Sequence, residues 1–160
     1  FRFKDQKRQS IWSVKTTRFK MIFKFLNKDK GKSDANTGAI NIACLLIHAA
    51  KIDENYTSEE REIIKKTIKK LYPNLNDLDE VITQAELKEN DSNHIQEFTK
   101  DVKSLKTENK IIIVETLWRI ILSDGKSDIY ENNLMRRLAG LLYLDDKLVG
   151  ETKVKILNNK

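Results

Sequence analysis

The sequence predicts an all-α fold, a compact bundle of about seven helices with an internal two-fold helix-turn-helix repeat. One proline and five glycines in 160 residues supply too few turn residues for a β-sheet or a loop-rich chain. Beyond residue 33, apolar side chains recur every three or four positions, which is the period of a helical face. A chain of this length is expected to form one ordinary domain that folds without disulfides.

Apolar residues at this spacing define the first four predicted helices. The second, over about 58–72, ends because Pro73 cannot continue the helical hydrogen bonds. The apolar positions are Ile40, Ala43, Leu46, Ile47 and Ala50 in the first helix, over about 36–52; Ile63, Ile64, Ile68 and Leu71 in the second; Leu75, Leu78, Val81, Ile82 and Ala85 in the third; and Ile95, Phe98, Val102 and Leu105 in the fourth.

The remaining helices include the one expected at the buried centre. A fifth helix, over about 108–123, is apolar on nearly every side, as a fully enclosed helix is. Its apolar residues are Ile111, Ile112, Ile113, Val114, Leu117, Trp118, Ile120 and Ile121. The sixth carries Leu134, Met135, Leu138, Leu141 and Leu142, and a short seventh covers about 146–157.

The positive charge is confined to the start of the chain. Residues 1–32 hold eleven lysines and arginines against two aspartates, a net +9, which leaves −3 of the overall +6 for residues 33–160. The sequence therefore predicts a basic N-terminal arm and linker over 1–35 and a helical domain over 36–157. Nucleic acid is not an expected partner, because the domain is mildly acidic. Met21 is an expected initiator, in which case residues 1–20 are not native.

Residues 11–26 of the arm have the pattern of a basic helix that lies on anionic lipid. The apolar stripe of this helix consists of Trp12, Phe19, Ile22, Phe23 and Leu26, with cations on the other sides. Two alternatives stay open: a helix that docks this stripe on the rest of the chain, and an upstream segment without a role. A membrane surface is thus one expected partner of the arm.

Composition excludes several classes of protein. One cysteine and two histidines exclude a disulfide framework and a Cys/His zinc cluster. The few glycines form no phosphate-binding loop, and neither histidine follows a glutamate by three residues, as a di-iron bundle would require. No transmembrane span or signal peptide is visible, so the expected location is the cytoplasm, at the inner face of the membrane if the arm binds lipid. We expect no enzymatic activity.

Two segments repeat at an offset of 71 residues. Each contains an apolar helix, an acidic turn and an amphipathic helix with a glutamate in its first turn. The matched positions are Asp53 with Asp124, Glu60 with Glu131, Ile63 and Ile64 with Leu134 and Met135, Lys65 and Lys66 with Arg136 and Arg137, and Leu71 and Tyr72 with Leu142 and Tyr143. The repeat predicts a pseudo-twofold bundle around the helices over 36–52 and 108–123.

An apolar helix that runs into Asp-Gly and then into an S/T/D-x-x-E helix start, present twice, resembles the TerB-like tellurite-resistance family. The resemblance covers about residues 36–157, and similar domains occur at the N-terminus of some membrane-anchored DnaJ-type co-chaperones. It implies a helical domain linked to tellurite and other chemical stress, acting as a metal-ion sensor or scaffold without established catalysis. Glu54 stands where the second copy has Gly125, so the two turns are expected to differ in backbone shape.

The acidic turns support two interpretations. Asp53, Glu60, Asp124, Asp128 and Glu131 carry the oxygen ligands that Ca²⁺, Mg²⁺ or Mn²⁺ accepts, although their spacing is not that of an EF-hand. The same residues suit helix capping, since Thr57 with Glu60 forms the pattern of a capping box and Asp128 with Glu131 repeats it. Capping alone is the favoured interpretation, and a bound divalent cation is the alternative.

Other side chains have structural interpretations. His48 is expected at the core or its boundary, Cys44 as a small buried hydrophobe and Trp118 in the core. Tyr72 and Tyr143 are expected at the boundary, with their hydroxyl groups in water.

The functional prediction is a TerB-like stress-response domain that acts as a non-catalytic protein-interaction scaffold, with protein partners in a stress-response complex. It includes metal-ion binding by the acidic turns as an option. The alternative is a co-chaperone-type or membrane-associated accessory module with no metal role, although the His-Pro-Asp tripeptide of a J-domain is absent from the sequence.

Overall fold

The computed structural model describes residues 33–52, 54–91, 95–123 and 129–159. Within these ranges the chain forms seven helices and no strand, which confirms the predicted all-α bundle. The helices are α1 (Ser33–Ala50), α2 (Ser58–Leu71), α3 (Leu78–Asp91), α4 (Ile95–Lys103), α5 (Thr107–Ile121), α6 (Ile129–Leu141) and α7 (Asp146–Asn158). Apart from the first two residues of α1, these helices belong to a compact unit that spans Ala35–Lys160.

Helix boundaries differ from the predicted ones where an apolar residue occupies a turn. Leu75 was expected in α3 and Leu105 in α4, but each lies in a turn next to its helix. The Asp77 carboxylate accepts a hydrogen bond from the Glu80 amide at 3.0 Å, so α3 begins only after Asp77. Both leucines still pack against the core. Their spacing from the apolar residues of the helix therefore resembles that of a helical face, although their own backbone is not helical. At the other end of the domain, α1 begins at Ser33, inside the predicted linker.

The most enclosed helix is α1, whereas the sequence predicted α5. All six residues from Ile42 to Ile47 are fully buried. Helix α5 packs against α2 and α7 and buries Leu117 and Trp118, but it keeps Arg119 exposed. The cause is that α1 carries only small and apolar side chains across this stretch, so neighbours can cover all of its sides.

Polar side chains join α1 to α3 along one line of contact. Asn41, Cys44 and His48 of α1, and Lys51 just after it, follow at intervals of three and four residues. The Asn41 Oδ1 atom accepts from Lys88 at 2.5 Å, and the Cys44 thiol donates to the Ala85 carbonyl at 3.3 Å. Asn41 also donates to Asp101 and so links α4 to the same line of contact.

The internal repeat stays a prediction, and one aligned pair of residues differs in the structure. Tyr72 has φ −129° and is half-buried, whereas Tyr143 has φ 53° and is 77% exposed. The expectation of boundary packing is therefore met by Tyr72 and is wrong for Tyr143. The reason is that the left-handed backbone at the end of α6 turns the Tyr143 side chain outward, where Lys103 lies 5.5 Å from its ring.

Candidate functional site

The first acidic turn contains the capping box that the sequence predicted. The Thr57 hydroxyl accepts a hydrogen bond from the Glu60 amide at 3.2 Å. In return, the Glu60 Oε2 atom accepts from the Thr57 amide at 2.8 Å and from the Thr57 hydroxyl at 3.1 Å. Glu60 is buried, and these bonds satisfy amides that have no partner within the helix. Capping thus accounts for the Oε2 atom of the Glu60 carboxylate.

The turn before α2 is also held by a glutamate that sequence reasoning missed. The Tyr56 hydroxyl donates to Glu86 Oε1 at 3.0 Å, and Arg61 Nε donates to the same oxygen at 3.0 Å. Burial and the neighbouring Glu86 carboxylate raise the pKa of Tyr56 well above its usual range. No local pattern marks Glu86, because its partners lie 25 and 30 residues earlier in the chain.

Glu54 adopts a left-handed backbone conformation although it carries a side chain. Its φ is 61°, a region that costs a residue with a side chain about 1–2 kcal/mol. The neighbouring backbone supports this conformation, since the Glu54 amide donates to the Lys51 carbonyl at 3.0 Å just after α1 ends. The expected difference between the two turns stays a prediction, because Gly125 lies outside the described residues.

Three of the five predicted metal ligands, Asp53, Asp124 and Asp128, lie outside the described residues. Of the other two, Glu60 is engaged in capping, and Glu131 is buried in the first turn of α6 with a bonding partner of its own. Among the described residues, no three histidine, cysteine, aspartate or glutamate side chains form a group that could hold a metal ion.

A second glutamate, Glu89, is the acceptor for the predicted boundary histidine. His48 Nδ1 lies 3.1 Å from Glu89 Oε1, and Lys51 Nζ donates to Glu89 Oε2 at 2.6 Å. His48 is half-buried at the edge of the α1–α3 contact, as predicted. Cys44 is fully buried on the same helix, and burial raises the pKa of its thiol to about 12. Such a thiol does not ionise near neutral pH and is a poor nucleophile.

Large apolar side chains are exposed at one end of the α6–α7 pair. We call Ile129, Tyr130, Val154 and Leu157 the apolar end; they are 70%, 74%, 55% and 43% exposed. Lys153 Nζ donates to Asn132 Oδ1 at 3.1 Å, which brings the start of α6 beside the end of α7. The sequence analysis assigned no role to these four residues.

The residues predicted for a membrane or partner helix, Trp12, Phe19, Ile22, Phe23 and Leu26, lie outside the described residues. Within the part of the chain that the structure describes, no helix combines the length and the apolar character needed to cross a bilayer.

Comparison with known proteins places this helical domain in a family. Residues 39–153 match the profile of the family described as TerB, tellurite resistance protein TerB. The match covers most of the chain and nearly all of the described helices. The chain therefore belongs to the TerB family, as the duplicated Asp and S/T/D-x-x-E pattern indicated, and this family is not known as catalytic. No curated protein and no solved structure matches the chain significantly.

Proposed function

We propose that this TerB domain is a non-catalytic interaction module of a stress-response complex, and that it binds a partner protein through the apolar end of α6 and α7. The observation that carries the proposal is the exposure of Ile129, Tyr130, Val154 and Leu157 at one end of a helix pair. Apolar side chains clustered on a surface are typical of protein–protein contact sites.

The charge near the apolar end indicates the chemistry of the partner. Arg136 and Arg137 are exposed. Each lies seven residues, or about two helical turns, after Ile129 or Tyr130, and so on the same side of α6 as that residue. A second copy of the chain would bring like charges together here. The favoured partner is therefore a different protein that presents an apolar patch flanked by carboxylates.

The test is a surface variant with a matched control. Ile129→Ser/Leu157→Ser removes two apolar contacts, and Leu87→Ser removes one exposed leucine from α3, away from the apolar end. In cells that lack their own copy of this protein, we expect the wild type and Leu87→Ser to restore growth on tellurite, and the double variant to fail. Equal restoration by all three proteins, with equal melting temperatures, would show that the apolar end is not the functional surface.

Cation binding by the acidic turns is a separate part of the proposal. The capping box supports the conformation of the first turn. Both hydrogen bonds from Thr57 to the Glu60 carboxylate end on Oε2, and Oε1 is the oxygen proposed to face a cation. Asp53→Asn/Asp124→Asn is the test variant, and thermal melts with EDTA, Ca²⁺, Mg²⁺ or Mn²⁺ are the measurement. Saturation at a hundred times the dissociation constant would add about 2.7 kcal/mol of stability. Melts that do not depend on any ion would leave these residues as caps.

The alternative is a membrane-associated accessory module without a metal role. The basic and apolar pattern of residues 11–26 supports it. Sedimentation with vesicles that contain anionic lipid distinguishes it from the scaffold. We expect binding that is lost on deletion of residues 1–32 if the alternative holds, and no binding by either form if it does not.

A further inference from the structure

Helices α2 and α5 enclose a groove of about 270 Å³ that is independent of the acidic turns and of the apolar end. Its inner surface is formed by Ile63 and Thr67 of α2 and by Ile112 and Thr116 of α5. Lys66 and Lys70 of α2, and Glu115 and Arg119 of α5, stand around its opening. We call these eight residues the basic groove.

The lysines of α2 lie on two adjacent sides of the helix, and only one of these sides has partners for its charges among the described residues. On one side, Lys65 donates to both oxygens of Asp79 at 2.8 Å, and Lys69 donates to the Pro73 carbonyl at 2.8 Å. On the adjacent side, Lys66 and Lys70 lie one turn apart, both exposed, with no ion pair to any described residue. Like charges at this spacing repel each other.

The basic groove is positive although it contains a glutamate. Glu115 Oε1 accepts from Lys155 of α7 at 2.6 Å, so its charge is compensated from outside the groove. Arg119, one turn further along α5, is exposed and likewise has no ion pair among the described residues. Three cations from two helices therefore surround one recess, and Glu115, the acidic residue of its lining, is already paired with Lys155.

The threonine hydroxyls in the groove are already engaged. Thr67 Oγ1 lies 3.0 Å from the Ile63 carbonyl, Thr116 Oγ1 lies 2.9 Å from the Ile112 carbonyl, and the two hydroxyl oxygens are 2.9 Å apart. Two hydroxyl hydrogens serve these three contacts, so neither is available to a ligand without loss of a protein bond. Recognition of a ligand thus depends on the three cations.

We infer that the basic groove binds a phosphate group, either as the free anion or as part of a small phosphorylated molecule. Guanidinium matches two phosphate oxygens in one plane, and the ammonium groups of Lys66 and Lys70 supply point charges at the same opening. A bound dianion would also relieve the repulsion between these lysines. The volume lies at the small end of ligand pockets, which favours a small phosphorylated ligand over a large one.

Calorimetric titration of the full chain with inorganic phosphate and with pyrophosphate tests this inference at constant ionic strength. The basic arm is also expected to attract anions, so binding at the groove is distinguished from binding at the arm by variants of the groove. Lys66→Gln/Lys70→Gln is the test variant, and Lys100→Gln/Lys106→Gln removes the same charge from exposed positions outside the groove. We expect at least tenfold weaker binding in the test variant and less than a twofold change in the control.

Two further results decide the case. Arg119→Lys retains the charge but loses the planar fork, so it should weaken phosphate binding severalfold if the fork contacts the anion. Tighter binding of phosphate would identify the free anion as the ligand. Tighter binding of pyrophosphate would identify a phosphate group within a larger molecule. Equal affinity in the wild type and the Lys66→Gln/Lys70→Gln variant, with both proteins folded by their melting curves, would overturn the inference. An equal loss in the control variant would do the same, since the attraction would then be non-specific.

Discussion

Backbone strain in the described part of the domain is located at Glu54 and Tyr143, which are its only residues other than glycine with positive φ. Glu54 lies in the turn between α1 and α2, four residues after the last residue of α1. The predicted internal repeat aligns Glu54 with Gly125. The strain is local and can be measured by substitution.

Replacement of Glu54 by glycine should stabilise the protein. It removes about 1–2 kcal/mol of left-handed strain and adds about 0.4–1 kcal/mol of chain entropy to the unfolded state, so the strain relief is larger. We expect Glu54→Gly to raise the free energy of unfolding by about 0.5–1 kcal/mol in urea denaturation. Glu54→Ala keeps the strain and should have little effect. A destabilised glycine variant would contradict the positive φ.

Cys44 should be inert in the folded protein. Its thiol is fully buried and its pKa is raised to about 12, so almost none of it is ionised at pH 8. We expect iodoacetamide to leave the native protein unmodified by mass spectrometry and to alkylate Cys44 fully in guanidinium chloride. Rapid modification in native buffer would show that α1 opens or that the thiol is accessible.

At the scale of the elements, α2 makes three separate sets of contacts. Its N-terminus is held by the capping box, one side pairs with α3 through Arg61 and Lys65, and another side lines the basic groove. Each of these contacts involves different side chains. They can therefore be removed separately.

Loss of the capping box should destabilise α2 without any involvement of metal ions. Glu60→Ala removes the acceptor of the Thr57 amide and is expected to cost about 1 kcal/mol. Glu59→Ala removes the same charge from the same turn, but Glu59 is exposed, so its cost should be much smaller. Urea denaturation with EDTA and with Ca²⁺ gives the comparison. A cost for Glu60→Ala that appears only with Ca²⁺ would instead support a cation site.

The pairing of α2 with α3 should weaken in acid. The hydrogen bonds from Lys65, assisted by Arg61, hold the pKa of Asp79 below its usual range. A lowered folded-state pKa contributes stability that is present above the unfolded-state value, near 3.9, and is lost as the pH falls through the folded-state value. We expect Asp79→Asn to be less stable than wild type at neutral pH and equally stable in strong acid. Salt at 1 M should reduce the neutral difference, because Asp79 is exposed.

At the scale of the whole molecule, α1 and α5 supply the central core, and removal of one buried side chain should affect the entire unfolding transition. Leu117→Ala empties a fully buried position on α5 and should cost about 2–5 kcal/mol. Leu87→Ala, at a position 49% exposed, should stay within about 0.5 kcal/mol of wild type. Circular dichroism during urea denaturation measures both. Similar costs for the two variants would mean that α5 is not part of the core.

Local patterns predicted the helices and the cap well, because their interactions span one turn of chain. The seven helices follow from apolar spacing, and the Thr57–Glu60 cap follows from residues three apart. Leu75 was wrongly assigned to α3, because a buried turn position and a buried helix position both require an apolar residue.

Interactions between distant residues required the packed helices. Glu86 meets Tyr56 and Arg61, and Glu89 meets His48 and Lys51, only after α3 packs beside α1 and α2. The basic groove likewise needs α2 and α5 side by side before Arg119 joins Lys66 and Lys70. Membership of the TerB family and the helical content were readable from local sequence, because period and motif are properties of consecutive residues. Which charges are paired, and which remain at a surface, depends on distances that only helix packing creates.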